Sequence, residues 1–71
     1  MDAHESLLST PEVARRLGVQ PQTLRVWRSR AKGPRFVRLG DDTFSRVAYR
    51  EADVLTWLEN RTVDPGRRGA A

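Results

Sequence analysis

The sequence has no cysteine, a single histidine (His4) and a single lysine (Lys32) among 71 residues. Without cysteine there are no disulfides to brace a small chain, no thiol nucleophile and none of the usual zinc clusters, so neither a metal site nor a cofactor is expected. No apolar run approaches the roughly 18 residues that a membrane span needs, and no stretch has the charged, apolar, small-residue order of a signal peptide. A cytoplasmic protein with no membrane partner is the expectation. Aromatic residues are few as well: two Trp, two Phe and one Tyr. A chain of this length holds one domain, whose core supplies about 3–5 kcal/mol of net stability, so a handful of large side chains must carry the packing. A ligand pocket of about 300 Å³ would consume much of such a core, and there is no acid–base pair, metal cluster or phosphate loop, which argues against an enzyme.

What the chain has in abundance is arginine, and its distribution matters more than the net charge of +4. From Thr10 to Gly40 there are eight basic residues (Arg15, Arg16, Arg25, Arg28, Arg30, Lys32, Arg35 and Arg38) against Glu12 alone, a net +7, while both flanks are close to neutral. A basic block inside a structured segment suits a phosphate-facing surface. A solvated arginine-rich face, or a bias of genomic base composition toward Arg, would look the same by charge alone.

Residues 1–8 read as an N-terminal arm whose Leu7 and Leu8 could pack on the domain. Ser9-Thr10-Pro11-Glu12 then combines an N-cap hydroxyl, a proline in the first turn and a glutamate three residues after the cap, a reciprocal capping arrangement. Val13, Ala14 and Leu17 share one helical face, with Arg15 and Arg16 turned away. Gly18 suits the left-handed conformation at a helix end, and Pro21 suits the start of the next helix. That second helix is anchored by Leu24 and Trp27 and breaks at Gly33-Pro34. Gln20 stands at its N-cap, where Ser or Thr would cap more strongly.

The stretch from Thr10 to Ser29 resembles the helix-turn-helix pattern: apolar residues at Val13, Leu17, Val19, Leu24 and Trp27, small Ala14 at the crossing and Gly18 in the turn. An ordinary helical hairpin buried in a core is the alternative. At about 100° per residue, Gln22, Arg25, Val26 and Ser29 lie roughly opposite Leu24 and Trp27, with Thr23 and Arg30 on one flank and Arg28 on the other. Gln pairs with adenine, Arg with guanine and Val methyls with a thymine methyl, so Gln22, Thr23, Arg25, Val26, Arg28 and Ser29 are the expected major-groove residues. Of these, Thr23 and Arg28 are better placed for backbone contacts. Arg15, Arg16, Arg30 and Lys32 are assigned to the DNA backbone. Trp27 could be a stacking platform, but its spacing from Leu24 favours the core.

Two β-prone stretches follow, 35–39 and 45–50, joined by residues 40–44. Phe36, Val37, Leu39, Val47 and Tyr49 are expected to cover one side of the helical pair, and Phe44 to cover the core or face a partner. Such a hairpin is either a wing that carries Arg35, Arg38 and Arg46 to the minor groove or one that merely closes the core. Asp41 and Asp42 would repel phosphate, which points to strand arginines for the contact. A third helix is expected over Glu51–Asn60, with Glu51 and Asp53 in its first turn and Val54, Leu55, Trp57 and Leu58 completing the core. Residues 62–71 read as a flexible basic tail, able to hold phosphates or a partner protein or serving as an ordinary terminus.

Taken together, LLSTPEVARRLGVQPQTLRVWR, the stretch GPRFVRLG with RVAYR, and EADVLTWL resemble the winged-helix family of MerR-type DNA-binding domains and phage excisionases. The resemblance runs from Leu7 to Leu58, about three quarters of the chain. It implies a mostly α single domain with a small β-hairpin, a winged helix-turn-helix over residues 9–61, whose second helix enters the major groove of double-stranded DNA while the wing reaches the flanking minor groove. Relatives often carry a basic residue before the aromatic of the second wing strand, where this chain has Ala48. MerR-type regulators continue into a long dimerisation helix, so the chain looks more like an excisionase, or recombination directionality factor. That branch implies tandem sites in a phage attachment region, DNA bending, adjacent copies of the protein and an integrase partner. A small transcriptional regulator of the same fold is the alternative, and a protein-interaction adaptor is a third reading that the basic block disfavours.

Overall fold

The computed structural model of the chain describes residues 6–41 and 46–68. In chain order the elements are β1 (Leu7–Leu8), α1 (Thr10–Leu17), α2 (Pro21–Ser29), β2 (Val37–Arg38), β3 (Val47–Arg50), α3 (Glu51–Arg61) and a single helical turn, α4 (Pro65–Arg68). Residues 1–5 and 69–71, parts of the expected arm and tail, lie outside the described residues, as do residues 42–45, including Phe44.

Local chemistry sets the helix ends. Ser9 Oγ accepts from the Glu12 N–H at 3.2 Å, and Glu12 Oε1 accepts from the Ser9 N–H at 2.8 Å. Two otherwise orphaned donors are thus satisfied by each other's side chains. At the far end Gly18 has φ 72°, and the N–H groups of Gly18 and Val19 return to the carbonyls of Arg15 and Ala14 at 3.3 and 3.0 Å, a Schellman motif. The start of α2 is barer, since Gln20 is extended and makes no side-chain capping bond. Its end repeats the Schellman pattern, with Ala31 N–H on the Arg28 carbonyl at 3.3 Å and Lys32 N–H on the Trp27 carbonyl at 2.7 Å. Here the left-handed residue is Ala31, at φ 57°. Gly33, at φ 84°, then passes so near Trp27 that a Cβ would stand 2.8 Å from Trp27 Cε3.

The sheet has the order β1-β3-β2, antiparallel throughout, with Leu8 opposite Tyr49, Val37 opposite Ala48 and Arg38 opposite Val47. Part of the expected arm is therefore a strand: Leu8 is buried in the core, and Ser6 O accepts from the Glu51 N–H at 2.9 Å, joining the chain start to the first turn of α3. Leu8, Val13, Ala14, Leu24, Tyr49 and Val54 form the core, flanked by Leu17, Val19, Trp27 and Phe36.

Two packing expectations need correction. Leu39 does not cover the helical pair, being 51% exposed, and side-chain alternation puts Val37, which pairs with Ala48, on the opposite sheet face from Tyr49. The apolar residues of α3 do not all complete the core either: Val54 is buried and Trp57 half-buried, while Leu55 and Leu58 are 57% and 40% exposed. The reason is geometric. Leu55 lies about 100° round the helix from Val54, and a helix at the rim of so small a core presents only a narrow line of contact.

Candidate nucleic-acid interface

Leu24 is fully buried and Trp27 and Arg28 half-buried, which fixes the rotation of α2 and leaves Gln22, Arg25, Ser29 and Arg30 exposed, with Val26 and Thr23 half-buried beside them. Gln22 and Arg25 are not merely neighbours, because Arg25 Nη1 donates to Gln22 Oε1 at 3.2 Å. This bond holds the guanidinium against the helix face and orients the Gln22 amide. The Ser29 hydroxyl donates to the Val26 carbonyl at 2.8 Å, so what it offers outward is an acceptor.

Arg28 is different from its expected role. Its Nη1 donates to Tyr49 Oη at 2.9 Å and to Thr10 Oγ1 at 3.3 Å, and its guanidinium carbon lies 5.6 Å from the Phe36 ring centroid. Tyr49 and Thr10 are both buried, so this arginine ties α1, α2 and β3 together from within rather than facing outward. The acceptors come from 18 and 21 residues away in sequence, beyond the reach of a helical projection. One signal was available: Arg28 stands four positions after Leu24, on the inward stripe.

The residues assigned to the DNA backbone do not form one group. Arg15 and Arg30 are exposed at the ends of α1 and α2. Arg16 Nη1 lies 2.9 Å from Glu51 Oε2, a half-exposed pair that links α1 to the start of α3; such pairs contribute about 0–1 kcal/mol. Lys32 lines a cleft with Trp27, Gly33, Trp57 and Arg61, on the side of α2 away from Gln22 and Arg25. In the hairpin, Arg38 and Arg46 are exposed, and the Leu39 N–H donates to Arg46 O at 2.8 Å. With Arg38 opposite Val47, alternation sets Arg38 and Arg46 on opposite faces. Arg35 is not part of the hairpin ladder: its Nη1 is 3.8 Å from Asp53 Oδ1, toward α3.

The Ser9 backbone N–H, and after it the Ser9 hydroxyl, hold the Glu12 carboxyl below its ordinary range, so the acid of the capping box is ionised at neutral pH. Among the described residues no cluster of His, Cys, Asp or Glu could hold a metal ion, and no helix is long and apolar enough to cross a membrane.

Two helices joined by a three-residue turn, the second presenting an outward polar face, with a third helix and an antiparallel hairpin beside them, make this a small winged helix-turn-helix protein. Residues 7–62 match the family described as a helix-turn-helix domain, and the chain belongs to that family. Membership carries DNA binding with it. No curated protein and no solved structure gives a match.

Proposed function

We propose that the chain is a sequence-specific, double-stranded DNA-binding architectural protein that acts as an excisionase, binding and bending attachment-site DNA and directing an integrase toward excision. The observation that carries the DNA reading is the outward face of α2, where the hydrogen-bonded Gln22–Arg25 pair sits with Val26 and Ser29. In the major groove Arg25 donates to guanine O6 and N7, while Gln22 reads a neighbouring base or holds Arg25 in place. Arg38 and Arg46, on opposite faces of the hairpin, suit the two walls of a narrowed minor groove, where Arg stabilises bent DNA without reading many bases. Arg15 and Arg30 bind flanking phosphates.

The architectural step rests on the resemblance to excisionases and on the small footprint of one such module on DNA. A single winged module buries roughly 600–1,000 Å² on DNA, too little for strong unaided specificity, so neighbouring copies on tandem sites assist one another. Recombination with the matching integrase is the test: added protein raises excision and suppresses integration. If both rates stay unchanged while transcription from a nearby promoter responds, the protein is a transcriptional regulator instead.

A further inference from the structure

We propose that the aromatic cleft behind α2 is a docking site for an acidic peptide segment with an apolar anchor, presented by a protein partner bound beside this one on DNA. The cleft has a volume of about 410 Å³ and is lined by Trp27, Lys32, Gly33, Trp57 and Arg61. A second hollow of about 260 Å³ shares Gly33 and Trp57 and runs along α3 past Asp53, Thr56 and Asn60. The two tryptophan rings, with centroids 5.4 Å apart and planes inclined by 42°, make an apolar floor that stays half-exposed. Gly33 keeps that floor open, since a side chain there would run into Trp27.

Charge selects the occupant. Lys32 and Arg61 stand at one end, with the Arg61 guanidinium carbon 4.8 Å from the Trp57 ring centroid. Among the described residues the sole carboxylate lining either hollow, Asp53, is at the other end and faces Arg35 at 3.8 Å. Carboxylates flanking an apolar residue would therefore meet cations while the residue rests on the indoles, where desolvation strengthens the attraction. Half-exposed tryptophan with arginine beside it is also the composition that dominates binding energy at protein interfaces. The site is usable on DNA because Trp27 points about 165° away from the centre of the Gln22–Arg25–Ser29 face; this placement rests on that face being the DNA side.

Fluorescence polarisation with the labelled peptide Asp-Glu-Asp-Phe-Leu-Glu-Asp tests the assignment, the same peptide with Lys at every acid serving as control. The expected result is saturable binding of the acidic peptide only, retained with duplex DNA present and weakened at least tenfold by Arg61→Glu. Arg61→Gln weakens it less, and circular dichroism and duplex affinity stay as in the parent for both variants. Equal binding of the two peptides, no binding of the acidic one, or indifference to Arg61→Glu overturns the proposal. A loss of duplex affinity in Arg61→Glu comparable to that in Arg25→Ala overturns it in favour of phosphate contact. Sedimentation showing self-association that Arg61→Glu abolishes makes a second copy the occupant and overturns it as well. Acidic-peptide binding without any duplex binding supports the cleft while removing the DNA reading of α2, so the two failures are distinguishable.

Discussion

Arg25 and Arg28 sit one helical turn apart on α2, yet one reaches toward solvent with Gln22 and the other is half-buried, bound to Tyr49 and Thr10. Their substitutions should separate cleanly. Arg25→Ala is expected to cost about 1–3 kcal/mol of discrimination at a single base position with the fold intact, measured by binding to a panel of single-base variants of the site. Tyr49→Phe keeps the buried ring but removes the acceptor of a charge-assisted bond. It should lower unfolding stability by about 1–2 kcal/mol in urea while leaving the ranking of DNA sequences unchanged. The outward placing of Gln22, Arg25 and Ser29 was legible because it follows from helical angle alone. The inward role of Arg28 was not, because angle gives direction but not the partners that other elements bring.

At the scale of the elements, both ends of α1 and the break after α2 could be read from Ser9, Glu12, Gly18 and Gly33, since caps and left-handed turns are local chemistry. The two glycines should nevertheless respond differently. Gly18→Ala meets open space and loses only the left-handed preference, about 1 kcal/mol. Gly33→Ala adds a collision with Trp27, so its loss should be larger, about 2–3 kcal/mol, and thermal melts of the two variants provide the comparison. Conversely, Gln20→Ser supplies the cap that α2 lacks and should raise stability by about 0.5–1 kcal/mol. The Glu12 carboxyl is held below its ordinary range by Ser9. Its contribution is therefore fully present above the unfolded carboxylate range and is lost as pH falls through the lowered folded value. Ser9→Ala should flatten that acid limb of the stability–pH curve. The extent of the hairpin and the outward turn of Leu55 and Leu58 were hidden, because strand register and the width of a contact line depend on the elements opposite, not on spacing.

For the whole molecule, the basic block between Thr10 and Gly40 is sorted by the fold into separate surfaces. Arg15, Arg25 and Arg30 are exposed around the α1–α2 unit and Arg38 on the hairpin, while Arg16 pairs with Glu51, Arg28 is half-buried against Tyr49 and Thr10, Arg35 turns to Asp53 and Lys32 joins the tryptophan cleft. Net charge along the chain could be read from sequence, but its division among separate surfaces could not, since the separation arises only when α3 packs behind α2. With Arg46 from the second half of the hairpin, the four exposed arginines other than base-reading Arg25 can displace counterions from about four phosphates. The logarithm of duplex affinity should then fall against the logarithm of salt concentration with a slope near −3 to −4. A salt titration of duplex binding tests the central claim most directly. A slope in that range, reduced by about one unit in Arg30→Ala, is the predicted result; a flat dependence, or no duplex binding at low salt, would contradict it.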